Sequence, residues 1–194
     1  MAAISFVSQW RKLWPWLVIV AVVLITAVLL HAQGRLWICA CGRIDLWAGN
    51  THSADNSQHL LDPYSFTHVL HGLVFYGVLA WAFPRLAVAW RLALAISLEA
   101  LWEIVENSAF VIQRYREATL ALGYEGDTIV NALGDLLCCV IGVLLARQLG
   151  FRRSLALFVV TELVLIVWIR DSLLLNIVML LHPFEAIKAW QLGK

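Results

Sequence analysis

Residues 127–149 read DTIVNALGDLLCCVIGVLLARQL, a pattern that sets the architecture expected for the whole chain. The apolar part is long enough for a helix to cross a bilayer, which takes about 20 residues. Within it, Asp127, Asn131 and Asp135 follow one another at intervals of four, so they share one helical face. The segment therefore predicts a membrane-spanning helix whose polar stripe faces the interior of a bundle.

Four further apolar runs are present, at 14–31, 63–83, 90–112 and 154–170. Of the 194 residues, 62% are hydrophobic and only 14% are charged, against about 45–50% and about 25% in soluble domains. We therefore expect a single all-α membrane domain over residues 1–194, a multi-pass transmembrane helix bundle with about five spans. The stretch 172–182 is too short to span alone, so it either extends the fifth helix or lies at the interface.

The distribution of Lys and Arg predicts the orientation, because cytoplasmic loops are enriched in these residues. With the N-terminus inside, the inner segments hold Arg11, Lys12, Arg85, Arg91, Arg147, Arg152 and Arg153, and the outer loops hold Arg35, Arg43, Arg114 and Arg116. The excess on the inner side predicts a cytoplasmic N-terminus. Loops 32–62 and 113–126 then face outward.

The third span carries three carboxylates, Glu99, Glu103 and Glu106, whose spacing places them on one face. A charge in the middle of a membrane helix costs about 2.5–3.5 kcal/mol, whereas each Leu, Ile, Val or Phe contributes only about 0.3–0.6 kcal/mol. The free energy of inserting this helix into the membrane is therefore close to zero unless a partner stabilises the carboxylates. Ionisable groups inside a membrane are functional candidates for this reason.

The predicted depths of these polar residues in the membrane place them at the same level. At about 1.5 Å per residue, His68 and His71 lie near the outer start of the second span. Glu103 and Glu106 lie near the outer end of the third, and Asp127 lies at the outer start of the fourth. Three antiparallel helices therefore place their polar stripes in one layer, and loop 32–62 is the segment expected to cover it.

Imidazole and carboxylate groups suit a divalent metal such as zinc, iron or manganese. The predicted metal ligands are His68, His71, Glu103, Glu106 and Asp127. The predicted catalytic groups are Glu103, Glu106 and Asp135, and the other polar residues of the site are Glu99, Asn107, Asn131, Arg114 and Arg116. A metal that activates water would give a hydrolase acting on an envelope or lipid-headgroup substrate, with Arg114 and Arg116 near a phosphate.

Other classes of function fit the same residues. The cluster suits a small proton- or cation-coupled transporter, or a structural or assembly protein whose buried pairs only fix helix packing. Asp127 is also a candidate helix N-cap. Asn131 is also a candidate for a hydrogen bond to a neighbouring helix. The bilayer is the expected partner, and the net charge of +1 gives no nucleic-acid signal. The sequence leaves the oligomeric state and the redox state of Cys39 and Cys41 open.

Five blocks resemble an alphaproteobacterial family of multi-pass membrane proteins, uncharacterised protein family 0314 or domain of unknown function 2585. They are CGRIDLW at 41–47, DPYSFTHVLHG at 62–72, WEIVENS at 102–108, GYEGD at 123–127 and NALGD at 131–135. The resemblance extends from about residue 39 to the C-terminus. It implies an inner-membrane location and brings no activity, cofactor or catalytic residue with it.

The orientation is testable with a topology reporter fused after residue 50. Because loop 32–62 is predicted to face outward, a periplasm-active reporter such as alkaline phosphatase should be active there. A cytoplasm-active reporter at the same position should be inactive. The reverse pattern would contradict both the orientation and the depth argument for the cluster.

Overall fold

The computed structural model of the protein describes residues 2–118 and 123–193. Its helices are α1 (Ala2–Ala32), α2 (Ser65–Ala82), α3 (Val88–Glu106), α4 (Ala109–Ala118), α5 (Ile129–Ile169), α6 (Leu173–Leu181) and α7 (Glu185–Gln191). The predicted all-α class is confirmed.

Three helical segments of the described chain are long and apolar enough to cross a membrane: Lys12–Ala32 of α1, α2 and α5. Large apolar side chains such as Leu24, Val78 and Val167 are exposed on them, as expected for helices that contact lipid. These features suggest a membrane protein. Helix α3 lacks this signature because it carries Arg91 as well as its three glutamates.

Helix α5 accounts for two of the predicted spans, because it is interrupted at Gly150, which has a φ of +70° and a ψ of 172°. The chain after this point runs back toward the start of α2. Tyr64 donates a hydrogen bond to Asp171 beyond the end of α5 (3.2 Å), and Ser65 donates one to Asp135 near its beginning (2.9 Å). The predicted spans 127–149 and 154–170 therefore correspond to the two arms of one helical hairpin.

The predicted third span, 90–112, differs from the structure. Helix α3 ends at Glu106, and α4 begins after a break at Asn107 and Ser108. Asn107 leaves the helical path because its side chain holds Asp127: its Nδ2 donates to Oδ2 of Asp127 (2.7 Å), and its Oδ1 accepts from the Asp127 backbone N–H (2.7 Å). The break therefore coincides with this tertiary contact and with a local one, the Val111 N–H donating to Oγ of Ser108 at 3.4 Å.

The short stretch 172–182 forms a helix of its own, α6. Two backbone N–H groups at its start, those of Leu173 and Leu174, donate to the carboxylate of Glu162 at 3.0 and 3.2 Å. Amides in the first turn of a helix lack partners within the helix, and a carboxylate is a favourable acceptor for them. Glu162 thus fixes α6 against the second arm of α5.

Helices α2 and α5 form the most extensive contact between elements of the described structure. Their backbones meet at Gly72 and Gly142. A Cβ on Gly72 would overlap the carbonyl oxygen of Cys139 and would lie 2.8 Å from Cα of Gly142. Small residues allow membrane helices to approach closely, and this approach brings the polar stripe of α5 next to the histidines of α2.

Loop 32–62 is anchored on the beginning of α5. Its carbonyl groups at Ser57, Leu36 and Trp37 accept from the backbone N–H groups of residues 128, 129 and 130 at 3.0, 2.8 and 3.1 Å. A disulfide joins Cys39 and Cys41 within the loop. The first amides of α5, which a helix leaves unpaired, are therefore satisfied by the loop.

The close approach of α2 and α5 predicts that Gly72→Ala lowers stability. The added methyl group meets backbone atoms that cannot move independently, and overpacking of this kind costs about 1–3 kcal/mol. Thermal unfolding in detergent should show a lower melting temperature. Gly77→Ala is the matched control, because no atom lies within 4 Å of the added Cβ there and alanine is the better helix former. Equal melting temperatures for both variants would contradict the packing described.

Candidate functional site

A cavity of about 400 Å³ lies beside α2, the end of α3, the first arm of α5 and α6. One side of it is polar, with Asp62, His68, His71, Glu106, Asp127, Asn131 and Asp135. The apolar residues that line the cavity are Val74, Phe158, Leu173, Leu174, Ile177 and Leu180. The loop expected to cover the polar layer does contribute to it, through Asn56, Ser57 and Asp62.

Glu99 binds both histidines of α2. His68 and His71 are three residues apart and share a helical face. Oε1 of Glu99 lies 2.5 Å from Nδ1 of His68, and its Oε2 lies 2.9 Å from Nδ1 of His71. A carboxylate accepts hydrogen bonds, so it fixes the proton of each ring on Nδ1 and leaves Nε2 of each ring available. The sequence had placed Glu99 only among the other polar residues of the site.

Glu103 is the least compensated group of the cluster. It is fully buried, and neither carboxylate oxygen accepts a hydrogen bond from the residues that the structure describes. Nδ1 of His68 lies 3.4 Å from its Oε1, but that nitrogen is already bonded to Glu99 at the shorter distance. A buried carboxylate without hydrogen bonds is strongly disfavoured, so the described residues leave the burial of Glu103 uncompensated.

Asp135 lies on the Nε2 side of the His68 ring, whereas Glu99 contacts the Nδ1 side. Its Oδ2 lies 3.8 Å from Nε2 of His68, and its Oδ1 accepts the hydroxyl of Ser65 at 2.9 Å. His68, Glu103 and Asp135 each offer one ligand atom, and these atoms lie within 4.8 Å of one another. Ligand atoms this close together could hold a cation.

A second group of ligand atoms within the same distance comprises Glu103, Glu106 and Asp127. Glu106 accepts the hydroxyl of Tyr115 at 2.8 Å. Asp127 accepts the hydroxyl of Tyr124 at 2.9 Å and the amide of Asn107 at 2.7 Å. Asp127 therefore does not cap α5; that position is taken by Thr128, whose side chain accepts from the Asn131 backbone N–H.

Carboxyl groups at the loop end of the cluster have raised pKa values. Burial raises the pKa of Asp127 above 3.8, while hydrogen bonds from Asn107 and Tyr124 oppose the rise. Burial likewise raises the pKa of Asp62, against hydrogen bonds from the backbone of Ser57 and Tyr64. The pKa of Asp171 rises to about 7 for the same reason. The hydrogen bonds present therefore do not fully offset the loss of hydration of these groups.

The structure does not bring the two predicted arginines into the cluster. Arg114 donates to the carbonyl of Leu180 at 2.8 Å, and Arg116 donates to the carbonyl of Tyr124 at 2.5 Å. Asn131 does line the cavity, and its Nδ2 is buried without a hydrogen-bond partner in the described part of the chain. The predicted role of Arg114 and Arg116 near a phosphate therefore gains no support from their positions.

Sequence reasoning missed the hydroxyl donors Ser65, Tyr115 and Tyr124. Ser65 and Tyr124 each lie three residues from a predicted site residue, His68 and Asp127, so sequence proximity was an available signal. Tyr115 lies between the predicted site residues Arg114 and Arg116, but its contact with Glu106 forms across the break between α3 and α4, which the sequence did not predict.

These features define a small all-α protein with helices of membrane-spanning length and a buried histidine–carboxylate cluster. It belongs to the family described as protein of unknown function DUF2585, whose model matches residues 30–193. The resemblance found in the sequence blocks is thereby confirmed.

Curated relatives cover nearly the whole chain. A UPF0314 protein of Sphingopyxis alaskensis is 47% identical over 92% of this chain and 95% of its own length. A UPF0314 protein of Paracoccus denitrificans is 44% identical over 93% of this chain and 94% of its own length. One of Rhizobium meliloti is 44% identical over 100% of this chain and 98% of its own length. No solved structure matches the chain significantly.

The contacts of Asn107 predict that Asn107→Ala destabilises the protein. Asp127 would lose a side-chain donor and its backbone N–H would lose an acceptor, at a cost of about 1–3 kcal/mol for buried groups. The melting temperature in detergent should fall. Gln113→Ala removes an exposed hydrogen bond to Glu117 and should change stability by no more than about 0.5 kcal/mol. A similar effect of both changes would argue against the role given to Asn107.

Proposed function

We propose that this protein is a metal-dependent hydrolase of the cell inner membrane that acts on a lipid headgroup or another envelope substrate. The observation that carries the proposal is Glu103, a buried carboxylate whose two oxygens accept no hydrogen bond from the described residues. A divalent cation would supply the compensating charge. Zinc, iron and manganese are the metals that accept a mixed histidine and carboxylate ligand set.

The first metal position lies among His68, Glu103 and Asp135. Glu99 holds the proton of His68 on Nδ1, so Nε2 can bind a cation, and Asp135 lies on that side of the ring. A carboxylate behind a metal-binding histidine is a common arrangement because it orients the ring and increases its basicity. Ser65 orients Asp135 in the same way.

A metal at this position would lower the pKa of a bound water and supply a nucleophile near neutral pH. His71 lines the cavity, and its Nδ1 is hydrogen-bonded to Glu99. Its free Nε2 is suited to accept the proton of the attacking water. The water oxygen would form the new bond to the ester centre, and the proton held by His71 would pass to the departing alcohol oxygen.

The cavity supports an amphiphilic substrate. Its lining combines Glu106 and Asp135 of the cluster with the apolar side chains of Phe158, Ile177 and Leu180. Neither Lys nor Arg lines it among the described residues. An anionic headgroup would therefore be bound by the metal itself, in place of the arginines expected from the sequence.

The location and orientation belong to the same proposal. Three helices of membrane-spanning length support insertion in the bilayer, and the family resemblance favours the inner membrane. The disulfide between Cys39 and Cys41 supports an outward-facing loop 32–62, because disulfides persist in oxidising compartments such as the periplasm. The N-terminus would then lie in the cytoplasm and the cluster in the outer half of the bundle.

Metal analysis of the detergent-purified protein tests the metal site. We expect near-stoichiometric zinc, iron or manganese in the wild type, and at least tenfold lower occupancy in His68→Ala and Asp135→Asn. Glu162→Gln is the matched control, since Glu162 is also buried but binds only the amides that begin α6. Absence of metal from folded wild-type protein, even after addition of each ion, would refute the proposal.

Hydrolysis needs its own measurement. Mixed micelles of phosphatidylethanolamine and phosphatidylglycerol provide lipid substrates, and bis(p-nitrophenyl) phosphate provides a soluble one. Turnover that needs the metal, and that falls by about 10²–10⁴-fold in His71→Ala without loss of bound metal, would support the assigned roles. Metal binding without turnover, together with uptake of the ion into sealed vesicles, would favour the transporter. Variants that lose stability without losing a bound ligand would favour a structural or assembly protein.

A further inference from the structure

We propose that Glu103, Glu106 and Asp127 bind a second divalent cation, so that the site is a binuclear centre with Glu103 as the bridging ligand. This inference rests on the first metal position proposed among His68, Glu103 and Asp135. It adds a distinct ion, a distinct ligand set and a stoichiometry of two. Glu106 becomes a metal ligand in this arrangement.

The chain positions the three carboxylates through separate local constraints. Glu103 and Glu106 are three residues apart on the last turn of α3, so they share its inner face. Asp127 comes from another part of the chain and is held by both hydrogen bonds to Asn107. One oxygen of each carboxylate lies within 4.8 Å of the others. Like charges this close repel one another, and a cation between them would relieve that repulsion.

The hydrogen bonds around this group leave room for a cation. The side chains that donate hydrogen bonds to Glu106 and Asp127 include the neutral groups of Tyr115, Tyr124 and Asn107. Such donors orient a carboxylate without neutralising it, as outer partners of metal ligands commonly do. Each carboxylate also keeps lone pairs that these bonds do not use.

Glu103 is the observation that links the two positions. It belongs to both groups of ligand atoms, and both of its oxygens lack a hydrogen-bond partner within the described chain. A single cation bound through one oxygen of Glu103 would leave the other oxygen without a partner. A bridging carboxylate gives one oxygen to each ion, which accounts for both. Two ions that share a site in this way lie about 3.5–4 Å apart in known enzymes.

The charges of the cluster agree with two ions. Six carboxyl groups (Asp62, Glu99, Glu103, Glu106, Asp127 and Asp135) face two imidazoles, with no Lys or Arg lining the cavity in the described residues. One divalent ion would offset two of these negative charges, whereas two ions would offset four. Paired ions also stabilise the attacking and departing oxygens of a phosphate ester, which makes a phosphate-bearing lipid the better substrate class for this cavity.

Manganese binding measures the stoichiometry directly. The full-length protein in detergent is stripped with a chelator, titrated with Mn²⁺ by equilibrium dialysis and analysed for bound metal. We expect two ions per chain in the wild type and one in Glu106→Gln and Asp127→Asn. Glu103→Gln should lose both or bind them at least tenfold more weakly. Asp171→Asn, which alters a buried carboxyl outside both ligand groups, should retain two.

Electron paramagnetic resonance provides a readout that does not depend on any variant. Two manganese ions bridged by a carboxylate give an exchange-coupled signal, and a single ion gives an isolated six-line spectrum. A folded wild type with one ion per chain and an uncoupled spectrum would overturn this inference and leave the first metal position standing. A folded wild type with no ion would overturn both. If the variants fail to fold, the wild-type stoichiometry and spectrum decide.

Discussion

The burial of carboxylates inside an apolar helix bundle is the constraint on which the rest of this structure depends. Glu99 and Glu103 have no contact with solvent, and each needs a partner to remain there. Glu99 obtains one from each histidine of α2. The close backbone contact at Gly72 and Gly142 holds α2 against α5, and this contact places Asp135 on the far side of His68. The packing of the helices therefore determines the geometry of the site in this protein.

Helical periodicity was enough to predict much of this arrangement. Intervals of three and four residues placed the carboxylates of α3 on one face, and counting residues from the helix ends put them level with His68 and Asp127. Those inferences depend only on the rise and turn of an α-helix. In the structure these side chains lie close together, because buried ionisable groups need polar partners.

The remaining features depend on contacts between distant residues, which periodicity cannot supply. The apolar pattern runs on past Glu106, yet the helix breaks there because Asn107 binds Asp127. Arg114 and Arg116 have the charge expected of a phosphate site, but backbone carbonyls take their hydrogen bonds. Tyr115 looks like an ordinary interfacial aromatic in the sequence and acts as a donor to Glu106. In each case the partner was fixed by tertiary packing.

The anchoring of loop 32–62 on α5 has an electrostatic consequence. A helix N-terminus carries a partial positive charge of about half a unit and commonly binds phosphates through its free amides. Here the amides of residues 128–130 point at loop carbonyls, and that of Asn131 points at the hydroxyl of Thr128. The macrodipole of α5 is thus directed into the loop. An anion that enters beside Asp127 therefore meets carboxylates, and the amides of residues 128–131 are not free to bind it.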